Sequence, residues 1–127
     1  MKENLHNIAF SKEHYIETIY ILLKEKDHVY NKDIVEYLEL SKASVSVAVN
    51  KLIQEEYAYR ENRSIKLTSK GIRVGKELYK KHIFLTDLFL KLGIDQKEAE
   101  KQACEIEHIL SDNTFNKIKD FMCKNNQ

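Results

Sequence analysis

A chain of 127 residues that contains no proline and only three glycines has few means of interrupting a helix. We therefore expect a mainly α-helical fold with short connections and no flexible linker. The hydrophobic fraction of 43% is sufficient for one compact domain or for two small domains that share a core.

The compartment can be predicted from what the sequence lacks. Residues 1–15 contain no apolar run of the signal-peptide type, and no segment approaches the roughly 18 uncharged apolar residues of a membrane span. The two cysteines, Cys104 and Cys123, are too few for a disulfide framework, so reduced thiols are expected. We expect a cytoplasmic protein that has no membrane association.

The first half of the chain has the pattern of a winged helix-turn-helix domain. A first helix is predicted over residues 11–25, capped by Ser11, and a short helix over 32–38, capped by Asn31. A tight turn at residues 39–40 leads to a helix from Ser41 to about residue 56. Alternating stretches at 57–60 and 64–67 predict a hairpin, the wing, around the polar turn 61–63.

The second predicted helix of this motif has an outward face that suits the major groove of DNA. Residues Val45, Ala48, Val49, Leu52 and Ile53 form its buried stripe. The remaining side chains are small, polar or basic, and the wing carries two arginines that could contact the DNA backbone or minor groove. The predicted DNA-binding residues are Ser41, Lys42, Ala43, Ser44, Ser46, Val47, Asn50, Lys51, Arg60 and Arg63. An ordinary corner between two helices gives the same outline, and this alternative stays open.

Charge is distributed unevenly although the formal net charge is only +1. Residues 57–81 contain eight basic and two acidic residues, whereas residues 95–112 contain six acidic and two basic residues. One half could face phosphates and the other could hold cations. The alternative is a pair of solvated helix faces of opposite charge.

The second half of the chain is predicted to be helical and carries a group of metal-binding residue types. A long helix over 69–92, capped by Thr68 and ended by Gly93, precedes a helix over 96–110 and a last helix begun by Ser111. Cys104, Glu107 and His108 have helical spacing i, i+3 and i+4, so a thiolate, a carboxylate and an imidazole share one face. Taken singly, each could be an ordinary core or surface residue. Further candidate donors are His14, Glu17, His82 and Glu100.

An apolar run at residues 83–92 is longer than one face of a small domain needs. We interpret it as burial against a second copy of the chain, and an ordinary core helix is the alternative. A homodimer with twofold symmetry would place two recognition helices on the half-sites of a palindrome.

Catalytic function is not indicated. The sequence has no Ser-His-Asp arrangement and no phosphate-binding glycine loop, so a small metalloenzyme is disfavoured. A winged-helix regulator that responds to a non-metal effector is the main alternative to a metal-responsive one.

Taken together, these motifs closely resemble the diphtheria-toxin-repressor and manganese-transport-regulator family. The resemblance covers about residues 8–120 and is carried by residues 11–20, 33–38, 44–46 and 67–71 and by the motif Cys104-x-x-Glu107-His108. It implies a homodimeric repressor that binds operator DNA when loaded with Fe(II) or Mn(II) and controls metal uptake. We expect a winged helix-turn-helix domain over residues 1–70, a helical metal-binding and dimerisation domain over 71–127, and no SH3-like third domain.

The resemblance also assigns metal ligands. Cys104, Glu107, His108 and His14 match inner ligands, Glu17 matches a carboxylate ligand of the manganese type, and His82 and Glu100 match a second, neighbouring site. The chain is a hybrid, because the iron branch usually has methionine at position 14, while the manganese branch has aspartate there and glutamate at position 104. Thr86 stands where both branches carry a carboxylate. Because thiolate and imidazole are softer donors than carboxylate, Fe(II) is favoured over Mn(II), and Zn(II), Co(II) and Ni(II) are expected to bind in vitro.

Overall fold

The computed structural model of the chain describes residues 11–125. These residues form six helices and one two-stranded sheet, which confirms the predicted mainly α fold with a single hairpin. The elements are α1 (Lys12–Glu25), α2 (Asn31–Leu38), α3 (Lys42–Gln54), β1 (Ala58–Glu61), β2 (Ser64–Leu67), α4 (Ser69–Lys91), α5 (Gln96–Glu107) and α6 (Asp112–Asn125).

The chain divides into two compact units, with the division between Tyr79 and Lys80. This point lies inside α4, so the helix contributes to both units. The domain boundary that we place at residue 70 from the sequence stays a prediction.

In the first unit, α2 and α3 form the helix-turn-helix. Glu39, the C-cap of α2, has a φ of 56°, and this left-handed conformation ends the helix and redirects the chain. Ser41 caps α3 as predicted, because its side chain accepts a hydrogen bond from the Ser44 N–H at 3.1 Å.

The predicted cap of α2 was wrong. Asn31 is the first residue of the helix and Tyr30 is the N-cap. The Tyr30 N–H donates to Asp33 Oδ2 at 2.8 Å, so the side chain of Asp33, the third residue of the helix, caps its N-terminus. Burial alone would raise the pKa of Asp33, but hydrogen bonds from Lys26 and from the Tyr30 backbone outweigh it and lower that pKa.

The wing follows α3 as an antiparallel pair in which Ala58 faces Leu67 and Glu61 faces Ser64. Asn62, with a φ of 62°, makes the tight turn at its tip. Gly71, at the start of α4, packs so closely against the wing entry that a Cβ atom there would lie 2.1 Å from the Tyr57 carbonyl oxygen. Thr68 caps α4 as predicted by accepting from the Gly71 N–H at 3.1 Å.

The core of the first unit joins α1 to the helix-turn-helix and the wing. Ile16 and Ile19 of α1, Ile34 of α2, Val49 of α3 and Ile65 of β2 are all fully buried in one cluster. Because α1 shares this core with α3, a displacement of α1 would disturb the packing of α3.

The second unit contains a smaller core around Leu85, Ala103 and Phe115, with the rings of Phe84 and Phe115 in an edge-to-face contact at 5.4 Å. Helix α5 ends at Glu107 and not near residue 110 as predicted, because residues 109 and 110 both bond back to the Ile106 carbonyl in a turn. None of the helices among residues 11–125 is long and apolar enough to cross a membrane.

Candidate nucleic-acid interface and metal centre

Helix α3 presents most of the predicted DNA-binding residues to solvent. Its exposed positions include Lys42, Ala43, Ser44, Val47, Asn50 and Lys51, with the N-cap Ser41 before them. Val47 has 69% of its surface exposed, an unusual position for a valine that suits contact with a thymine methyl group. Ser46 is half-buried, so it is less accessible than the sequence pattern implies.

The two wing arginines differ in their surroundings. The Arg60 guanidinium donates through Nη1 to the Arg63 carbonyl oxygen and through Nη2 to Asn31 Oδ1, both at 3.1 Å. The Arg63 side chain is exposed at the wing tip. Arg60 therefore ties the wing to the start of α2, whereas Arg63 reaches outward.

An open cleft of about 860 Å³ lies between the wing tip and the start of α2. Its lining residues are Tyr30, Asn31, Lys32, Arg60, Asn62 and Arg63. Reasoning from the sequence found the two arginines and missed the other four. Asn31, Lys32 and Asn62 are polar or basic, but they indicate a binding surface only together, and their proximity to the arginines is a property of the fold.

In the second unit the structure brings four predicted metal-binding residues together. Glu107, at the end of α5, is fully buried. Its Oε1 lies 2.9 Å from Nδ1 of His82 on α4, and its Oε2 lies 3.5 Å from Nε2 of His108, the C-cap of α5. Sγ of Cys104 and a ring nitrogen of His108 lie within 4.8 Å of each other. The thiol with one imidazole and the buried carboxylate with the other imidazole therefore form two adjoining pairs.

The residues matched to a second metal site are arranged differently. Glu100 lies on the exposed surface of α5, where its Oε2 accepts a hydrogen bond from Gln96 Nε2. The Thr86 hydroxyl, one turn after His82, is buried and has no hydrogen-bond partner among residues 11–125. His82 contacts Glu107, which also lies 3.5 Å from His108, so Glu107 joins His82 to the pair formed by Cys104 and His108.

The remaining candidates, His14 and Glu17, belong to α1 in the first unit. His14 is half-buried, and its Nδ1 lies 3.1 Å from the Ser11 backbone nitrogen and 3.0 Å from Ser11 Oγ at the helix start. Glu17 is buried although it carries a carboxylate. The i, i+3 spacing places both donors on one face of α1.

The four residues of the second unit fit a divalent transition metal. Burial of an ionised carboxylate is costly unless partners compensate its charge, and Glu107 is surrounded by groups that are also metal donors. Thiolate and imidazole donors suit Fe(II), Co(II), Ni(II) and Zn(II), and the carboxylate also accommodates Mn(II). The geometry can hold a cation whose charge replaces the protons of these groups.

A winged helix-turn-helix linked to a helical unit with such a donor cluster defines a metal-responsive DNA-binding regulator. The sequences of both halves of the chain match known protein families that support this class. Residues 8–64 match the N-terminal DNA-binding domain of the iron dependent repressors, and residues 68–126 match their metal-binding and dimerisation domain. The chain belongs to this family and is a metal-dependent transcriptional repressor, not an enzyme.

Individual relatives support the same assignment. The chain is 38% identical to the HTH-type transcriptional regulator MntR of Bacillus subtilis (strain 168) over 113 residues, which are 88% of this chain and 80% of that protein. It superposes on the manganese regulator SloR with a TM-score of 0.75 at 30% identity, covering 88% of this chain and 53% of that one. For IdeR of T. acidophilum the TM-score is 0.76 at 26% identity, with 88% and 54% coverage. The chain thus spans about half the length of these solved chains.

Proposed function

We propose that this protein represses metal-uptake genes as a homodimer when it is loaded with Fe(II) or Mn(II). The observation that carries the proposal is the buried Glu107 carboxylate between the imidazoles of His82 and His108, the second of which lies within 4.8 Å of the Cys104 thiol, in the unit that matches a metal-binding and dimerisation domain. As a transcriptional regulator it is expected to act in the cytoplasm.

Cys104, Glu107, His108 and His82 are the proposed ligands of the second unit. The family resemblance adds His14 and Glu17 of α1, and it assigns Glu100 together with His82 to a second, neighbouring site. A bound divalent cation supplies positive charge that compensates the thiolate and the carboxylates. The 2.9 Å contact with Glu107 would also fix the orientation of the His82 ring.

The choice of metal rests on ligand chemistry. A thiolate and two imidazoles favour Fe(II) over Mn(II) among the metals that this family uses. SloR is described as a manganese regulator, which supports Mn(II) as the second candidate. Zn(II), Co(II) and Ni(II) are expected to bind in vitro because affinity alone does not determine which metal a cell supplies.

Coupling between the metal site and DNA would run through α1. His14 and Glu17 lie on this helix, and the same helix shares a core with α2, α3 and β2. Metal binding by residues of α1 would favour one arrangement of the two α3 helices of a dimer over other arrangements. The DNA-binding state would then be more populated. Each α3 would then read one half-site of a palindromic operator through residues 41–51.

The first test is the binding of a labelled duplex from the protein's own upstream region, measured by fluorescence anisotropy in chelator and after anaerobic addition of Fe(II), Mn(II) or Zn(II). We expect tight binding only with metal, and its loss in His108→Ala. His28→Ala removes an exposed histidine outside the cluster and serves as the matched control. Equal binding with and without metal would overturn the proposal and leave a winged-helix regulator of a non-metal effector.

A further inference from the structure

Lys81, which precedes His82 on α4, is a nearly buried lysine. Only 11% of its side chain is exposed, whereas lysines rarely leave water unless they are paired. Its Nζ donates to the Leu110 carbonyl oxygen at 3.1 Å, lies 3.0 Å from Asp112 Oδ1 and lies 5.9 Å from the centre of the Phe115 ring. These contacts compensate the cost of burying an ammonium group.

The partners of Lys81 lie at the turn between α5 and α6, directly after a proposed metal ligand. His108 is the C-cap of α5. The N–H groups of Ile109 and Leu110 both donate to the Ile106 carbonyl oxygen, at 2.9 and 3.0 Å, and make the turn tight. The Leu110 carbonyl oxygen at the end of this turn accepts the hydrogen bond from Lys81. The turn that carries His108 is thereby tied to α4.

Two consecutive residues of α4 hold the end of α5 and the turn after it at two points. His82 Nδ1 lies 2.9 Å from Glu107 Oε1, and Lys81 binds three residues further along at Leu110. His108 stands between these points in the sequence, and its Nε2 lies 3.5 Å from Glu107 Oε2. With the second point released, the turn could rotate about the end of α5 and move the His108 ring away from the carboxylate.

We infer that Lys81 is a positioning residue of the metal centre, which holds the His108 imidazole in place by fixing the turn after it to α4. The inference rests on the proposed metal-binding function and adds a residue that is not a ligand. An ammonium group has no lone pair to offer a cation, so Lys81 acts through the turn. The Leu110 contact is the main one, because Asp112 is 87% exposed and exposed ion pairs contribute little.

A lysine that only stabilised the fold would have a different signature. Loss of a buried hydrogen-bonding group lowers the stability of the metal-free protein under either role. A purely structural role leaves the metal affinity of the folded protein unchanged. A positioning role lowers that affinity by about tenfold, the lower end of the range for groups that orient a metal ligand.

The experiment is an anaerobic titration of the full chain with Co(II), followed by absorption, with urea unfolding of the metal-free protein measured in parallel. Lys81→Met keeps the length of the side chain and removes the ammonium. We expect it to bind Co(II) about tenfold more weakly, with altered visible bands, which report the ligand geometry, and a retained near-ultraviolet band of the Cys104 thiolate.

Three further variants complete the comparison. Lys81→Arg keeps the charge and the N–H donors and should recover most of the affinity. Asp112→Asn should remain within about twofold of the wild type, because the Leu110 contact persists. Lys97→Met, which removes an exposed lysine of α5, is the control of equal charge and should bind Co(II) as the wild type does.

A Lys81→Met protein that is less stable in urea but binds Co(II) with wild-type affinity and spectrum would overturn the inference. If that variant does not fold, Lys81→Gln replaces it, because it keeps an amide donor on a side chain one atom shorter. An affinity loss of about threefold is expected there, and wild-type affinity would again contradict the role. A loss in Asp112→Asn equal to that in Lys81→Met would contradict the role of the Leu110 contact. A wild type that binds no Co(II) would refute the proposed metal site itself.

Discussion

Cys104 is the residue that most distinguishes the donor set of this chain, because it adds a soft thiolate to imidazole and carboxylate donors. We predict that Cys104→Ser lowers the affinity for Co(II) and Zn(II) about tenfold or more, equivalent to about 1.4 kcal/mol, and affects Mn(II) much less. The measurement is a titration with Co(II), whose thiolate charge-transfer absorption in the near ultraviolet should disappear in the variant.

The second cysteine provides the control for this prediction. Cys123 is exposed near the end of α6, so Cys123→Ser should leave the absorption band and the metal affinities unchanged. A band that survives in Cys104→Ser and vanishes in Cys123→Ser would show that the thiolate ligand had been misassigned.

The candidate site could be predicted from the sequence where its residues lie on one helix, but not where it depends on contacts between helices. Helical spacing alone is enough to place Cys104, Glu107 and His108 on one face. The contact of His82 with Glu107 joins residues 25 positions apart and depends on how two helices pack. The same limit explains Asn31, whose amide suits a helix cap by local rules but binds the wing arginine in the fold.

At the scale of elements, the start of α1 is linked to the end of α3. The Lys12 ammonium lies 3.5 Å from Glu55 Oε1 and 5.0 Å from the centre of the Tyr57 ring, and Glu55 is the C-cap of α3. Tyr57 and then Glu55 raise the pKa of Lys12 electrostatically, so the side chain stays charged at neutral pH. Lys12 is also two residues before His14, which places this link next to a proposed ligand.

We predict that Lys12→Gln weakens the coupling between metal and DNA without changing metal affinity. The ratio of the DNA dissociation constants in chelator and in metal should fall about twofold to fivefold, because a solvent-exposed ion pair makes only a small contribution. Calorimetry gives the metal affinity and anisotropy gives the ratio. Lys24→Gln, at the other end of α1 against the rings of Tyr20 and Tyr79, is the control, and a wild-type ratio in Lys12→Gln would exclude the link.

The caps of α3 and α4 and the end of α4 were predicted correctly, whereas the cap of α2 and the end of α5 were not. Ser41 and Thr68 cap the helices that their positions predicted, because a cap acts through the adjacent turn. Gly93, with a φ of 93°, lies just past the end of α4 as expected. Helix α5 has no glycine or proline after His108 to mark its end, so the turn that ends it at Glu107 was not visible in the sequence.

At the scale of the whole molecule, the proposed dimer depends on apolar surface in the second unit. Ile83 and Leu90 are exposed on α4 at a spacing of seven residues, which places them on one face of the helix. Three further large apolar residues of the second unit are also exposed: Leu92, Ile109 and Phe121. A folded monomer rarely leaves this much large apolar surface in water, so a second copy of the chain is the expected cover.

We predict that the double variant Ile83→Glu/Leu90→Glu is monomeric, because dimer formation would bury four uncompensated carboxylates. Sedimentation equilibrium should show a dimer for the wild type and for Asn116→Glu, which adds the same charged group at an exposed polar position of α6. Two linked DNA-binding domains bind a double site about 10²-fold to 10⁴-fold more tightly than one domain binds its half-site. The monomer should therefore bind a palindromic duplex no more tightly than a half-site. A double variant that stays dimeric would place the interface elsewhere, whereas a monomer that keeps full affinity for the palindrome would remove the need for a dimer in DNA recognition.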